Sequence, residues 1–506
     1  MHAALVALLL QVTPAAVGAP APDTVVVCPA DFRVTVRPWL EHRTRQGHRI
    51  ALVSNLGTPA QIRQRIIEQS KGGRLKHVLL LGDSDPAMAQ NAIIRGRSVP
   101  THYVKAKVNI HWGSEPEIAT DTPYADLDGD SVPDVAIGRI PADTPAQLRG
   151  MIRKILAYEG STDFGPWRRQ VDFVAGVGGF GQLADSLLET GAKKFITEGI
   201  PSPYQTSMTY GSWRSPYCPD PRVFHQTTLE SLSRGSLFWV YIGHGHPLTL
   251  DRVRVPGSDH HIFDIRDVAK LDCRSGSPIA MFLACYCGAF DAPRDCLSEE
   301  MLRQPGGPVA VFSGSRVTMP YAMSTMGMGL MDECFRRRRA TLGEVILHAK
   351  RGMILARRGF AQRLMLDVLA KAISPKGTDL ADERMEHVQL FNLLGDPLLR
   401  LRHPQPVTLT VKRSAKAGGE LVVEGECKMG GRCTVELAVR RDRLPFAHVP
   451  REQFDARDVS LKAYQEVYRR ANNPRIVSVN PLLVDGRFRT TLQIPATAYG
   501  ACCVRV

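Results

Sequence analysis

Apolar residues fall along this chain in short, unbroken runs separated by longer segments of helical periodicity. Thr24–Cys28, Arg49–Ser54 and His77–Leu81 read as buried strands. Phe32–Gln46 and Pro59–Ser70 between them carry the i, i+3, i+4 spacing of amphipathic helices. The alternation continues with a strand over Val135–Gly138 and a helix over Pro145–Glu159, and such a βαβ rhythm implies a parallel sheet with right-handed crossovers. A second unit opens near Pro166 with the strand Gln170–Ala175, a glycine-rich turn at Gly176–Gly179 and a helix over Gln182–Glu198. Two runs within it stand out. Leu237–Ile242 stops at Gly243, His244 and Gly245, and Ile279–Leu283 stops at Ala284 and Cys285. The unit continues through a strand at Pro308–Ser313, an amphipathic helix over Leu342, Val345, Ile346 and Met353, and a helix near Leu364–Ile373, and it closes at Leu390–Leu398. Beyond Pro404 the period changes from helical to twofold. Val407–Val411, Glu420–Glu424, Thr434–Val439 and Arg487–Ile494 alternate apolar and polar residues, as the strands of an antiparallel sandwich do.

The expected organisation is therefore an α/β subdomain over 24–160, a second α/β subdomain over 161–402 and a β-sandwich over 405–506. A length of 506 residues agrees with two or three domains, and 44% apolar with 23% charged residues excludes a disordered or fibrous chain. Residues 1–21 join the apolar run Ala3–Leu10 to the small residues Ala15–Ala21, which suits an export signal cleaved near Gly18 or Ala21, although no Lys or Arg opens it. No later run reaches the length of a membrane-spanning helix. The net charge of +14 is spread along the chain, and its densest run, Arg336–Arg339, reads as the solvated start of a helix. No aromatic residues are interleaved there, so nucleic acid is not an expected partner.

Eleven cysteines is an odd number, so one thiol stays free even in an oxidising compartment, and Cys285 is the candidate. Cys427 and Cys433 flank what reads as a hairpin tip. No pair of Cys-x-x-Cys knuckles is present, so a cysteine-built zinc site is not expected. The carboxyl ends of parallel strands are where ligands gather, so His244 and Cys285 belong on one rim. Together they are the minimum kit for covalent acyl transfer: an imidazole that titrates near neutrality and a thiol that attacks once ionised. His246 and Cys287, each two residues further on, compete for the same roles.

Four segments in order, Pro133–Arg139, Gly243-His244-Gly245, Ala284–Phe290 and Leu394–Leu398, resemble the gingipain-like cysteine peptidases. That resemblance covers residues 24–402. It implies a caspase-like three-layer α/β/α fold with parallel sheets in two subdomains, followed by an immunoglobulin-like β-sandwich. It also implies an exported cysteine endopeptidase acting on protein or peptide substrates, with no cofactor needed for the chemistry. His244 is then the general base and acid, Cys285 the nucleophile, and the N–H groups of Gly245 and Cys285 the oxyanion donors. The glycine also lets substrate backbone approach closely. Asp185 matches an aspartate that holds a basic side chain in arginine-specific members; the alternative is a solvated carboxylate at a helix start. Members of the family place a carboxylate after the first strand of the second unit, whereas Val174–Gly179 contains none. A transpeptidase like the sortase-type relatives of secretion machinery, or a binding or scaffold protein with weak catalysis, are the alternative functions. Asp126, Asp128, Asp130 and Asp134 alternate in a way that suits structural calcium, or equally a loop capped by its own carboxylates.

Overall fold

The protein is described here from a computed structural model, which describes residues 21–176, 199–273, 276–355, 364, 366–368, 370, 371 and 379–506. The proposed export signal up to Pro20 and the expected helix over Gln182–Glu198 lie outside these residues.

A single ten-stranded sheet runs through the α/β part. Its strands are β1 (Thr24–Val27), β2 (Ile50–Val53), β3 (His77–Leu81), β4 (Ala136–Ile140), β5 (Gln170–Ala175), β6 (Gln205–Tyr210), β7 (Phe238–Ile242), β8 (Ile279–Leu283), β9 (Ala310–Gly314) and β10 (Phe391–Leu394). Their spatial order is β2-β1-β3-β4-β10-β9-β8-β7-β5-β6. The two expected subdomains thus share one sheet. The joint is β10, which runs antiparallel to β9 and parallel to β4, where Leu394 faces Arg139. All other neighbours are parallel, and β3 and β8 are buried along their whole length, as a sheet covered by helices on both faces requires.

The helices begin where the sequence chemistry says they should. Thr58-Pro59-Ala60-Gln61 and Thr144-Pro145-Ala146-Gln147 repeat one signature, and in both the threonine caps the glutamine N–H while the glutamine side chain reaches back. The run Arg336–Arg339 precedes its helix instead of opening it. Thr341 caps Leu342–Ile354, and the arginines before it pair with Asp332 and Glu333.

Two of the four family-like segments are structural anchors. Arg139 is buried in β4 and donates through Nε and Nη2 to both oxygens of Asp121, and through Nη1 to the Gly82 and Val99 carbonyls. Asp396, just past β10, is fully buried and accepts from Arg43 Nη2 at 2.6 Å and from the Trp39 indole. The Arg43 guanidinium is held further by Glu159.

After residue 404 two three-stranded antiparallel sheets form, one from Thr408–Val411, Glu420–Glu426 and Arg487–Gln493, the other from Arg475–Val479, Val435–Val439 and Cys502–Arg505. The twofold pattern did not reveal the helix Asp458–Ala471, whose Leu461 and Tyr464 join the α/β core. Gly431–Arg432 pairs with Leu482–Leu483, so the segment between Cys427 and Cys433 is not a closed hairpin, and all eleven cysteines are thiols. Among the described residues no helix is long and apolar enough to cross a membrane.

Candidate active site

Strands β7 and β8 pair in parallel with Ile242 opposite Leu283, so the segments carrying His244 and Cys285 leave the sheet side by side. Gly243 allows the first turn. A Cβ there would meet Tyr241 Oη at 2.8 Å, and without it the buried tyrosine folds over and donates to the His244 carbonyl at 2.8 Å. The Asp251 N–H donates to the same carbonyl at 3.2 Å. His246 N–H bonds Thr249 O at 2.9 Å, which closes a tight loop. His244 is half-buried within it and His246 is exposed.

Gly245 is where the two segments touch. A Cβ built on it would lie 2.5 Å from the Cys285 carbonyl oxygen, 2.6 Å from Cys287 Sγ and 3.0 Å from Ala284 Cβ. Any side chain at this position would force the strand ends apart.

Cys285 is half-buried, and its sulfur receives the Thr318 N–H at 3.2 Å, with Thr318 Oγ1 at 3.5 Å. The next residue, Tyr286, sits at φ +57°, a left-handed conformation that is uncommon for a bulky side chain. Cys287 N–H donates back to Cys285 O at 2.7 Å, closing a three-residue turn around it. The tyrosine is pinned by its N–H to Arg316 O and its hydroxyl to Glu115. Among the described residues neither Gly245 N–H nor Cys285 N–H donates to a protein acceptor. Cys287 is fully buried, and burial pushes its thiol well up, which keeps it protonated and unreactive.

The Thr318 segment is itself held. Met319 N–H donates to His387 Nε2 at 2.7 Å, and His387 Nδ1 donates to Glu383 O at 2.7 Å. Burial pushes His387 down to about 4, so the ring is neutral and its Nε2 accepts from Met319 N–H. Burial likewise lifts the Glu383 carboxyl to about 7.

No carboxylate follows β5 in the chain, yet one sits there in space. A Cβ on Gly176 would lie 3.8 Å from Asp251 Oδ2 and 3.1 Å from Tyr241 Oη, and the Asp251 side chain is only 12% exposed. Asp251, Tyr241, Thr318 and His387 had no signal in the sequence, because each acts through a backbone group whose position depends on the folded loops. The one available cue was Gly243, since a glycine between an aromatic and a histidine permits the tyrosine to turn back.

Of the remaining expected residues, Asp185 lies outside the described residues. Asp126, Asp128 and Asp134 bring carboxylate oxygens within 4.8 Å of one another, and Asp130 does not join that group. Four of these oxygens' lone pairs already accept backbone N–H groups: Asp126 from Gly129 and Ser131, Asp128 from Asp130, and Asp134 from Leu127. Asp130 caps Val132 in the same way.

The model of peptidase family C25 matches residues 18–402. No curated protein matches the chain by sequence. Among solved structures, the Arg-specific cysteine proteinase gingipain R is 15% identical, with 95% of this chain and 93% of that chain covered and a TM-score of 0.53. The complex of the Porphyromonas gingivalis RgpB pro- and mature domains is 14% identical, with 94% of each chain covered and the same TM-score of 0.53. A third structure, described as a protease, is 17% identical over 83% of this chain and 87% of that one, at a TM-score of 0.56. At these identities the likeness is one of fold.

Proposed function

Starting from the fact that the chain belongs to peptidase family C25 and is a cysteine-type peptidase, we propose that it is an exported endopeptidase working through a His244–Cys285 dyad. The observation that carries this reading is the contact at Gly245, which sets the loops of the two reactive residues against each other with two backbone N–H groups uncommitted. His244 takes the proton from Cys285 Sγ, and the sulfur attacks the peptide carbonyl carbon. Negative charge moves to the carbonyl oxygen, where the N–H groups of Gly245 and Cys285 receive it. The C–N bond breaks, His244 protonates the leaving amine, and a thioester remains on Cys285. Water, deprotonated by His244, then hydrolyses the thioester and frees the thiol. Asp251 and Tyr241 act as positioning residues, since both hold the His244 carbonyl.

Residues 1–21 serve as the export signal in this reading. Asp185 receives a basic side chain of the substrate. The carboxylates of Asp126, Asp128 and Asp134 would hold a structural calcium ion, which takes oxygen ligands and supplies no chemistry to the reaction.

Cleavage of a peptide library by wild type and by Cys285→Ala tests the dyad. Loss of cleavage and of labelling by an acyl-arginyl chloromethyl ketone, at an unchanged melting curve, supports it. A wild type that neither cleaves nor labels sinks it in favour of a scaffold role. Ligated product on adding a glycine-rich amine would reassign the chain to transpeptidation.

A further inference from the structure

A second cluster of reactive side chains lies outside the dyad. His225 sits at the start of the helix Phe224–Ser233, His261 ends the strand Ser258–His261, and Asp267 lies in the short helical turn Ile265–Lys270. His225 Nε2 is 3.2 Å from Asp267 Oδ1, and His261 Nε2 is 2.7 Å from Asp267 Oδ2. The two imidazole centroids are 4.7 Å apart, and one ligand atom from each of the three residues falls within 4.8 Å of the others.

The tautomer of His225 gives this cluster its meaning. Its Nδ1 is 3.1 Å from the Ile262 carbonyl oxygen, which only accepts, so Nδ1 carries the hydrogen. The Nε2 of a neutral His225 is then a bare lone pair pointing at a carboxylate oxygen. Two acceptors at that distance repel unless a positive charge sits between them, and a proton or a metal ion meets the need. Metal-binding histidines are oriented in this way, with the far ring N–H held by a backbone carbonyl. Asp267 is also prepared, since its side chain is only 4% exposed and the Asp264 N–H fixes Oδ2.

We propose that His225, His261 and Asp267 bind a divalent transition-metal ion of the zinc type. Two imidazoles and a carboxylate suit zinc, whereas calcium takes oxygen ligands alone. Asp264 Oδ2, 3.7 Å from His261 Nε2 and held at present by the exposed Arg266 guanidinium, or a water completes a fourth position. Lys270 Nζ, 2.9 Å from Asp267 Oδ1, is the competing cation, and being 58% exposed it can swing clear on its flexible stem. The ion would be structural. Asp264 bridges Thr249, Ile265 N–H donates to Leu248 O, and Leu250 N–H donates to Phe263 O, so the site fastens the His244 loop to the helix that carries His225.

Cobalt(II) titration of full-length Cys285→Ala protein tests this, with the dyad thiol removed so that it cannot supply a ligand. One equivalent should bind and give visible d–d absorption without a thiolate charge-transfer band. Zinc should displace it and raise the melting temperature. His225→Gln and His261→Gln, each made in the same background, should weaken binding by at least about tenfold. Absence of binding, a thiolate band, or affinity unchanged in both variants overturns the proposal. Should His261→Gln fail to give a native circular dichroism spectrum, His225→Gln, at a half-exposed side chain on a helix, decides alone.

Discussion

Replacing Gly245 by alanine asks whether the contact between the two strand-end loops sets the reacting geometry. The added methyl would lie 2.5 Å from the Cys285 carbonyl oxygen and 2.6 Å from Cys287 Sγ, where carbon is not accommodated below 3.0 Å. Neither neighbour is the far end of a flexible side chain: one is backbone, and the other is a short side chain buried on all sides. The loops must therefore open by at least about 0.5 Å. Overpacking of this kind costs roughly 1–3 kcal/mol. Spread over an unfolding entropy of about 2.1 cal/mol/K per residue for roughly 380 residues of α/β fold, that lowers the melting temperature by only about 1–4 °C. Catalysis is more sensitive, because a misplacement of about 1 Å at the reacting atoms costs about a hundredfold, and half of that about tenfold. The assay is kcat/KM on a cleavable peptide, normalised to thiol titration of Cys285, beside a melting curve. We expect a fall of about ten- to a hundredfold with a fold that stays intact. A variant with full kcat/KM, whether or not its melting temperature falls, would show that the Gly245 contact is packing alone and would remove the main support for the dyad.

Cys287→Ala should retain cleavage and iodoacetamide labelling while Cys285→Ala loses both, because burial keeps the Cys287 thiol protonated; mass spectrometry of labelled peptides reads the difference. Tyr241→Phe, which removes the hydroxyl that holds the His244 carbonyl, should lower kcat more than it raises KM, while a change in melting temperature alone would mark Tyr241 as merely structural. His387 should contribute to acid sensitivity. Its folded value of about 4 lies below the ordinary 6.5, so as pH falls from 6.5 to 4 the unfolded chain takes up a proton that the folded chain refuses, and stability drops across that window. Each pH unit is worth about 1.4 kcal/mol, about 3 kcal/mol in all. His387→Phe should narrow the gap between melting temperatures at pH 7 and pH 4.5, at the expense of an unsatisfied Met319 N–H worth about 1–3 kcal/mol. Asp396→Asn should destabilise by about 3–5 kcal/mol, because it leaves the buried Arg43 guanidinium short of a counter-charge, and denaturant melts measure it directly.

Elements whose signals are local were legible in the sequence. Pro59–Ser70, His77–Leu81 and Gln170–Ala175 were placed to the residue, since a capping threonine with its proline and glutamine, or a short and mostly apolar run, is written in consecutive positions. What escaped depends on distant partners. The antiparallel sense of β10 cannot be read from Phe391–Leu394, because a buried strand is apolar on both faces whichever way it runs. Helix Asp458–Ala471 was hidden inside a stretch of strands. At the site, His244 and Cys285 were visible because each ends an apolar run. Asp251 was not, since it reaches the end of β5 through the folding of a loop rather than through its place in the chain. Arg139 and Asp396 were visible as family-like positions, and the structure gives them the work of holding the sheet rather than of chemistry.

Strand β10 also decides when the molecule can become whole. It lies between β4, finished by residue 140, and β9, finished by residue 314, yet it is the last of the ten to leave the ribosome. Until residue 394 emerges, the first half-sheet ends in the open edge of β4 and the second in the open edge of β9, each with a row of unpaired backbone groups. Two such edges on one nascent chain invite mispairing with each other or with a neighbour. A chain truncated before residue 391 would hold both His244 and Cys285 and still lack the strand that closes its sheet.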